Sequence, residues 1–281
     1  MKNLKYNYLR PFILITILFC PFLIMAQDEE EATEEKNARP AFESSMVIDN
    51  PTGTVYSKGT FEFMIQHRFG AINSGLSEMY GLWLPSNIRL AFAYSPFDYL
   101  TIGYGTTKMS KLQDFNVKWS VLNQSRDGSM PVSITYYGNA VIDGRSAEYF
   151  LHKSDRYSYF HQVIITRRFN HKLSIQLSPS LSHYNMIDGN MNNDHIAIAG
   201  VGRFKISPQT SLLFEVDQPI TKHFSGNPMP NIGGGIEIAT GSHSFQIFAG
   251  NYSAIIPQFN NVFTQSGDLV IGFNINRRWN F

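Results

Sequence analysis

Leu269-Val-Ile-Gly-Phe-Asn-Ile-Asn-Arg-Arg-Trp-Asn-Phe281 is the stretch of the 281-residue sequence that decides the fold. Leu269, Ile271, Phe273, Ile275, Trp279 and Phe281 occupy the odd positions, while Gly272, Asn274, Asn276, Arg278 and Asn280 occupy the even ones. A β-strand turns successive side chains to opposite faces, so this pattern predicts one apolar and one polar face. Arg277 interrupts the apolar row. Close to a strand end, its long side chain reaches a polar boundary. An amphipathic edge strand of a soluble sandwich would read the same way, so the rest of the chain has to decide.

The alternation recurs from Gly59 onward. Phe61, Phe63, Ile65 and Phe69 alternate with Glu62, Met64, Gln66 and Arg68; Ile88, Leu90, Phe92 and Tyr94 alternate with Asn87, Arg89, Ala91 and Ala93. Leu173, Ile175, Leu177 and Leu181 stand against Ser174, Gln176, Ser178, Ser180 and Ser182. Further candidates lie around Leu100–Gly105, Asp114–Val121, Val132–Tyr137, Arg156–Phe169, Ile196–Ile206, Ser211–Asp217, Asn231–Ile238 and Ser244–Ile247, giving about twelve strands. Each approaches the roughly 9 to 11 residues that a tilted strand needs to cross a bilayer.

The connections alternate in length. Ser95–Asp98, Asn170–His171, Ser207–Thr210 and Thr240–Ser242 are short; Gly70–Ser86, Asp143–Asp155, His183–Asn193, Gln218–Pro230 and Ser253–Ser266 are long. Thr107–Lys111 and Asn123–Met130 break the parity. Short turns at one end and long loops at the other are the habit of transmembrane barrels. Phe69, Tyr94, Phe97, Tyr99, Phe169, Trp279 and Phe281 gather near strand ends, where aromatic girdles sit. A polar inner face accounts for a mean hydropathy of only -0.17 in a chain that is 43% hydrophobic. A closed sheet pairs its own backbone groups, so only the outer face has to be apolar.

Lys2, Lys5 and Arg10 precede an apolar stretch from Phe12 to Met25 and a small residue, Ala26. This pattern predicts a secretory signal peptide over residues 1–26, too short and too proline-marked for a spanning helix. The single cysteine, Cys20, would leave with it. Asp28, Glu29, Glu30, Glu31, Glu34 and Glu35 crowd a segment with little to bury, which predicts a disordered acidic tail. Residues 27–58 are read as that tail plus an N-terminal periplasmic segment, and 59–281 as the barrel. Within 38–58, Phe42, Met46, Val47, Ile48 and Tyr56 leave two placements open: a plug in the lumen or a surface against a partner.

The closing strand resembles that of bacterial outer-membrane β-barrels. The segment Arg39 to Thr60, then Gly59-Thr-Phe-Glu-Phe-Met-Ile-Gln-His-Arg-Phe-Gly70, then Ser86-Asn-Ile-Arg-Leu-Ala-Phe-Ala-Tyr-Ser-Pro-Phe-Asp98 together resemble an uncharacterised family of such barrels, labelled only as a domain of unknown function. The resemblance covers nearly the whole chain after the signal. It implies an all-β transmembrane antiparallel barrel in the bacterial outer membrane, with outer-membrane lipid and the barrel-insertion machinery as partners. Phe273, Ile275, Trp279 and Phe281 would be the insertion signal. No catalytic residues carry over.

The expected lumen carries charges of both signs. Arg68, Arg89, Lys118, Arg168, Arg203 and Lys205 stand against Asp114, Glu215, Asp217 and Glu237. One reading is a narrow pore or transporter for small polar solutes. A second is a plugged structural barrel that binds an envelope protein partner; inner-face Tyr137, Phe160 and Phe248 favour a filled lumen. A third is an outer-membrane lipid hydrolase, since some such enzymes resemble the His-x-Ser spacing of His152-Lys-Ser154, with Asp155 as orienter. His183 and His195 lack the supporting cluster of a metal site. No metal, no cofactor and, at a formal charge of +1, no nucleic-acid partner is expected.

Overall fold

The computed structural model describes residues 37–281. The expected signal peptide and the acidic run at 28–35 lie outside the described residues. Two short strands, β1 (Met46–Val47) and β2 (Asn50–Pro51), form a small hairpin. Twelve longer strands close into one barrel. They are β3 (Thr60–Ala71), β4 (Asn87–Phe97), β5 (Leu100–Thr107), β6 (Leu112–Leu122), β7 (Ser133–Ile142), β8 (Tyr157–Arg168), β9 (Leu173–Tyr184), β10 (Asp194–Lys205), β11 (Thr210–Pro219), β12 (Asn231–Ala239), β13 (His243–Gly250) and β14 (Val270–Asn280).

Each barrel strand pairs antiparallel with its sequence neighbours, and β14 returns to β3. Ile275 lies opposite Ile65 at that seam, and the register shifts between Val270 and Gly272. Closure leaves no free edge, the condition for a sheet in hydrocarbon. The alternation read from sequence is the alternation of faces. In β9 the serines and Gln176 turn inward and are buried, whereas Ile175 and Leu177 face outward. In β10, Ala197, Ala199, Val201 and Arg203 face inward, and Ile196 and Ile198 outward. Tyr94, Phe97, Tyr99 and Phe169 lie exposed near the short-turn end, with Phe97 stacked on Tyr99 at 5.4 Å. Arg277 sits over the Trp279 ring at 4.8 Å, so its charge rests on an aromatic face rather than in an apolar row.

Most connections at one end of the barrel are short, such as Asp98–Tyr99 and residues 240–242, and most at the other are long, such as 72–86 and 251–269; the short 108–111 at the long-loop end and the longer 123–132 at the short-turn end break the pattern, as the sequence reading had them. The 251–269 connection carries helix α1 (Pro257–Phe263), started by a proline in its first turn and buried along much of its length. Proline suits that position because its missing N–H has no intrahelical partner there.

Of the two placements left open for the residues before the first barrel strand, the structure shows the lumen: grouped by sequence with the tail, the segment lies inside the barrel from about residue 38 to residue 56. Ala38 N–H donates to the Gln124 carbonyl at 2.7 Å in the β6–β7 turn, at the short-turn end. The chain then rises through the lumen to a tip at Ile48–Asp49 and descends to β3. Gly59 makes the entry to β3 with φ of 83°, and a Cβ there would meet the Phe281 carbonyl oxygen at 2.6 Å. Glycine alone meets both demands. The lumen prevails over the periplasm for this segment because its backbone groups find matched partners on the inner wall.

Candidate functional site

The candidate site is the lumen and the segment inside it. Apolar residues of the segment meet apolar patches of the inner wall: Phe42, Val47 and Ile48 pack with Val201, Leu213 and Phe248, and with Tyr252 of the connection after β13. Met46 packs with Met64 and Ala91. The tip needs a bend, and Ile48 takes φ of 50° to make it. A β-branched residue there is strained. Wall contacts hold it: Asn274 donates to the Ile48 carbonyl at 2.7 Å, and Ile48 N–H donates to Gln246 at 3.0 Å.

The remaining contacts are polar and mostly reach the segment's backbone. Gln246 donates to the Met46 carbonyl at 2.9 Å and Gln176 to the Pro51 carbonyl at 2.8 Å. Thr135 donates to the Gly53 carbonyl at 3.2 Å, and Lys118 donates to the Ser45 carbonyl. Near the short-turn end, Glu62 accepts from Ser45 Oγ at 2.6 Å and from Tyr56 Oη at 2.8 Å. Buried groups left without partners would cost about 1–3 kcal/mol each, so the segment and the wall satisfy each other.

The charged residues expected in the lumen are there. Arg68, Arg89, Asp114, Lys118, Arg203, Glu215, Asp217 and Glu237 all face inward and are buried. Arg168 and Lys205 lie half-buried at the short-turn end. Arg89 and Asp114 form a two-pronged pair at 2.6 and 2.9 Å within the wall. Arg68 has its carboxylate in the inserted segment: Asp49, at 2.5 Å. Arg203 bridges Glu237 on the wall at 3.2 Å and Glu43 of the segment at 3.0 Å. Glu215 and Asp217 have no cation partner among the described residues. Asn50 Nδ2 spans them, donating at 3.0 and 2.9 Å, while Tyr252 Oη donates to Glu215.

Charge was the signal that picked these residues out. The amides that hold the segment, Gln66, Gln176, Gln246, Asn274 and Asn276, carry none. They were visible only as polar positions on the same inner face.

The other singled-out residues do not converge. His152, Ser154 and Asp155 lie in an exposed turn between β7 and β8, where Asp155 accepts the His152 backbone N–H at 2.7 Å and Ser154 Oγ at 3.4 Å. His183 pairs with Asp194 at 2.7 Å. His195 is buried against His223, ring centres 4.5 Å apart. No group of three or more His, Cys, Asp or Glu among the described residues has metal-binding spacing. Phe273, Ile275 and Trp279 lie on the outer face of β14, and Phe281 follows it, 89% exposed.

Residues 42–279 match the model of a membrane-bound β-barrel domain, DUF5777. The chain belongs to that family. The DUF5777 match starts at Phe42, within the lumen segment, so segment and wall lie in one matched domain. No curated protein matches. Among solved structures, an outer-membrane channel from Pseudomonas putida F1 is similar, at TM-score 0.50 and 9% identity, over 89% of this chain and all of that one (100%). The KdgM porin is similar at TM-score 0.47 and 9% identity, over 79% of this chain and 99% of that one. At such identity the likeness is one of barrel fold.

Proposed function

We propose that this DUF5777 barrel is a gated conduit for small polar solutes across the bacterial outer membrane, closed at rest by residues 38–56. The observation that carries the reading is how that segment is held. It pairs with no barrel strand, and side chains of the wall grip it through single hydrogen bonds and three ion pairs. Interactions of this kind contribute about 0.5–1.5 kcal/mol each and can be exchanged for water. A twelve-stranded wall lies between the eight strands that side chains fill and the 16 to 18 that leave an aqueous channel. An inner segment therefore decides whether the wall encloses a path.

Planar-bilayer recording tests the reading. The intact protein stays closed or opens rarely, and a variant lacking residues 38–56 conducts steadily. Silence of that variant, with its barrel shown folded by cold-detergent gel mobility, removes the conduit.

The same filled lumen favours a second reading, a plugged barrel that binds an envelope protein partner. Gentle detergent extraction that retains a stoichiometric second protein, together with a silent deletion variant, would favour it. Export through a cleaved signal and recognition of Phe273, Ile275, Trp279 and Phe281 by the insertion machinery belong to the same proposal. Loss of Phe281 would then lower the yield of folded barrel in the outer-membrane fraction. Catalysis is not part of it: Asp155 is engaged in capping its own turn rather than orienting His152 against Ser154.

A further inference from the structure

Above the tip of the inserted segment, at the long-loop end, lies a cavity of about 530 Å³. Volumes of 300–1,000 Å³ are those of small-molecule sites. Its floor and one side are the 251–269 connection, which turns into the barrel mouth. Ile256 of that connection is buried against Leu112 and Val141 of the wall, with Phe259 packed beside them, and this anchors α1 across the opening.

The walls have a consistent chemistry. Amides Asn87, Asn251, Asn260 and Gln265 line the cavity, together with rings that include Phe259 and Phe263, 4.6 Å apart. The only charged lining residues are Lys108 and Asp268, of opposite sign and both exposed at the rim. A wall of this kind offers no net charge to an ion. Asn87 and Asn251 spend their amides on backbone groups that shape the wall; the hydroxyls of Ser86, Ser253, Thr264 and Ser266 and the Gln265 side chain are the groups it offers to a solute's hydroxyls, with ring surface for the C–H faces between them.

Asn260 is the informative member. Its side chain is 2% exposed. Nδ2 donates to Asp49 Oδ2 at 2.7 Å and to the Ala254 carbonyl at 3.0 Å. Two acceptors on the nitrogen fix which way the amide points. Oδ1 is then an acceptor, and it is buried with no partner. Oδ1 lies closed beneath the cavity floor, so Asn260 ties that floor to the inserted segment through its Nδ2 bond to Asp49.

We propose that this vestibule is a binding site for an uncharged, hydroxyl-rich solute of mono- or disaccharide size. The inference rests on the reading of the barrel as a conduit and names the class of solute it receives. The site also touches the closure, because Asn260 holds Asp49, and Asp49 holds Arg68 on the wall. A solute seated on this floor therefore bears, through Asn260, on the tip of the inserted segment.

Isothermal titration of the purified barrel in detergent with glucose, maltose and myo-inositol, and with gluconate and glucosamine as charged counterparts, tests the site. At least one neutral probe binds saturably, and the charged probes bind at least tenfold more weakly. Phe263→Ala and Asn260→Leu each weaken binding about tenfold or more, and Gln265→Ala at the edge weakens it several-fold, with cold-gel mobility unchanged. The proposal is overturned if none of the three neutral probes binds, if gluconate or glucosamine binds equally well, or if the variants bind like the parent. The two readings separate cleanly. Conductance of the deletion variant without binding overturns the vestibule and leaves the conduit; binding without conductance supports the vestibule and overturns the conduit.

Discussion

Arg68 of β3 donates to Asp49 of the inserted segment at 2.5 Å, and neither side chain is exposed beyond 2%. The two residues lie on different parts of the molecule, one on the wall and one on what fills it. The pair therefore measures the seating of the segment rather than the integrity of the barrel. The Arg68 guanidinium also lies over the Phe248 ring at 4.3 Å and donates to Asn274 Oδ1 at 3.0 Å. Its position is set by the wall, and the segment comes to it.

Arg68→Met leaves Asp49 as a buried carboxylate without its cation. Breaking one side of a buried pair costs about 3–5 kcal/mol. The cost falls on the closed arrangement, since Asp49 is rehydrated when the segment leaves. The open probability in planar bilayers should rise by at least tenfold, with gel mobility of the unboiled barrel unchanged. An unchanged open probability would show that the pair does not hold the segment.

A covalent lock should do the reverse. A Cβ built at Gly53 would stand 3.3 Å from the Thr166 Cβ, close to the roughly 3.5–4.5 Å separation of a disulfide. The sequence has one cysteine, Cys20, in the expected signal, and a Cys20→Ser background removes it as a competitor for the engineered pair. Gly53→Cys/Thr166→Cys should be silent when oxidised and regain the parental activity with dithiothreitol. Equal conductance in both states would mean that the path does not pass the segment.

The outer face predicts a depth-dependent penalty. Leu177 lies near the middle of β9 and points outward, 52% exposed. Leu177→Arg puts a cation at the hydrocarbon midplane, which costs about 2–4 kcal/mol in such barrels. Ser178→Arg, next in sequence, would instead be a lumen change that crowds the inner wall. Urea unfolding in lipid vesicles should show the first loss, and a stability equal to the parent for Leu177→Arg would contradict the placement of that face.

The long-loop end should respond to acid. His223 lies in the β11–β12 connection, and burial holds its imidazole below the ordinary histidine value. Its Nδ1 accepts the Asn192 backbone N–H at 3.1 Å, tying two connections together. Protonation turns that acceptor into a donor facing a donor. A depressed histidine pKa means that the released form takes up the proton first. The tether is therefore complete above the unperturbed value of about 6.5 and is lost as pH falls through the lower value of the folded protein. Limited proteolysis should cut residues 185–193 faster at about pH 5 than at about pH 8, relative to an unfolded control peptide. His223→Gln should remove the difference.

Much of the fold was legible because a strand in a barrel has only two faces. Glu215 and Asp217, two residues apart, had to share a face, and Phe214 and Val216 had to share the other. The same rule placed Arg89 opposite in orientation to Leu90, and Ser178 to Leu177. Strand number followed from counting these runs, and the two ends followed from connection length. None of this required knowing what any residue touches.

The contents of the lumen were not legible in that way. The run from Phe42 to Tyr56 has no period of two or of 3.6, and its strands β1 and β2 are two residues long. Its partners are remote: Ile48 meets Asn274, 226 positions away, and Asn260 meets Asp49 across 211. The connection holding α1 looked like any other long loop for the same reason. Alternation determined the wall, because the geometry of a single strand sorts its side chains with no help from elsewhere. Only the closed tertiary structure decided what fills the wall, because a buried backbone carbonyl such as that of Ile48 selects its site by the donors that surround it, and those donors converge only after the barrel has closed.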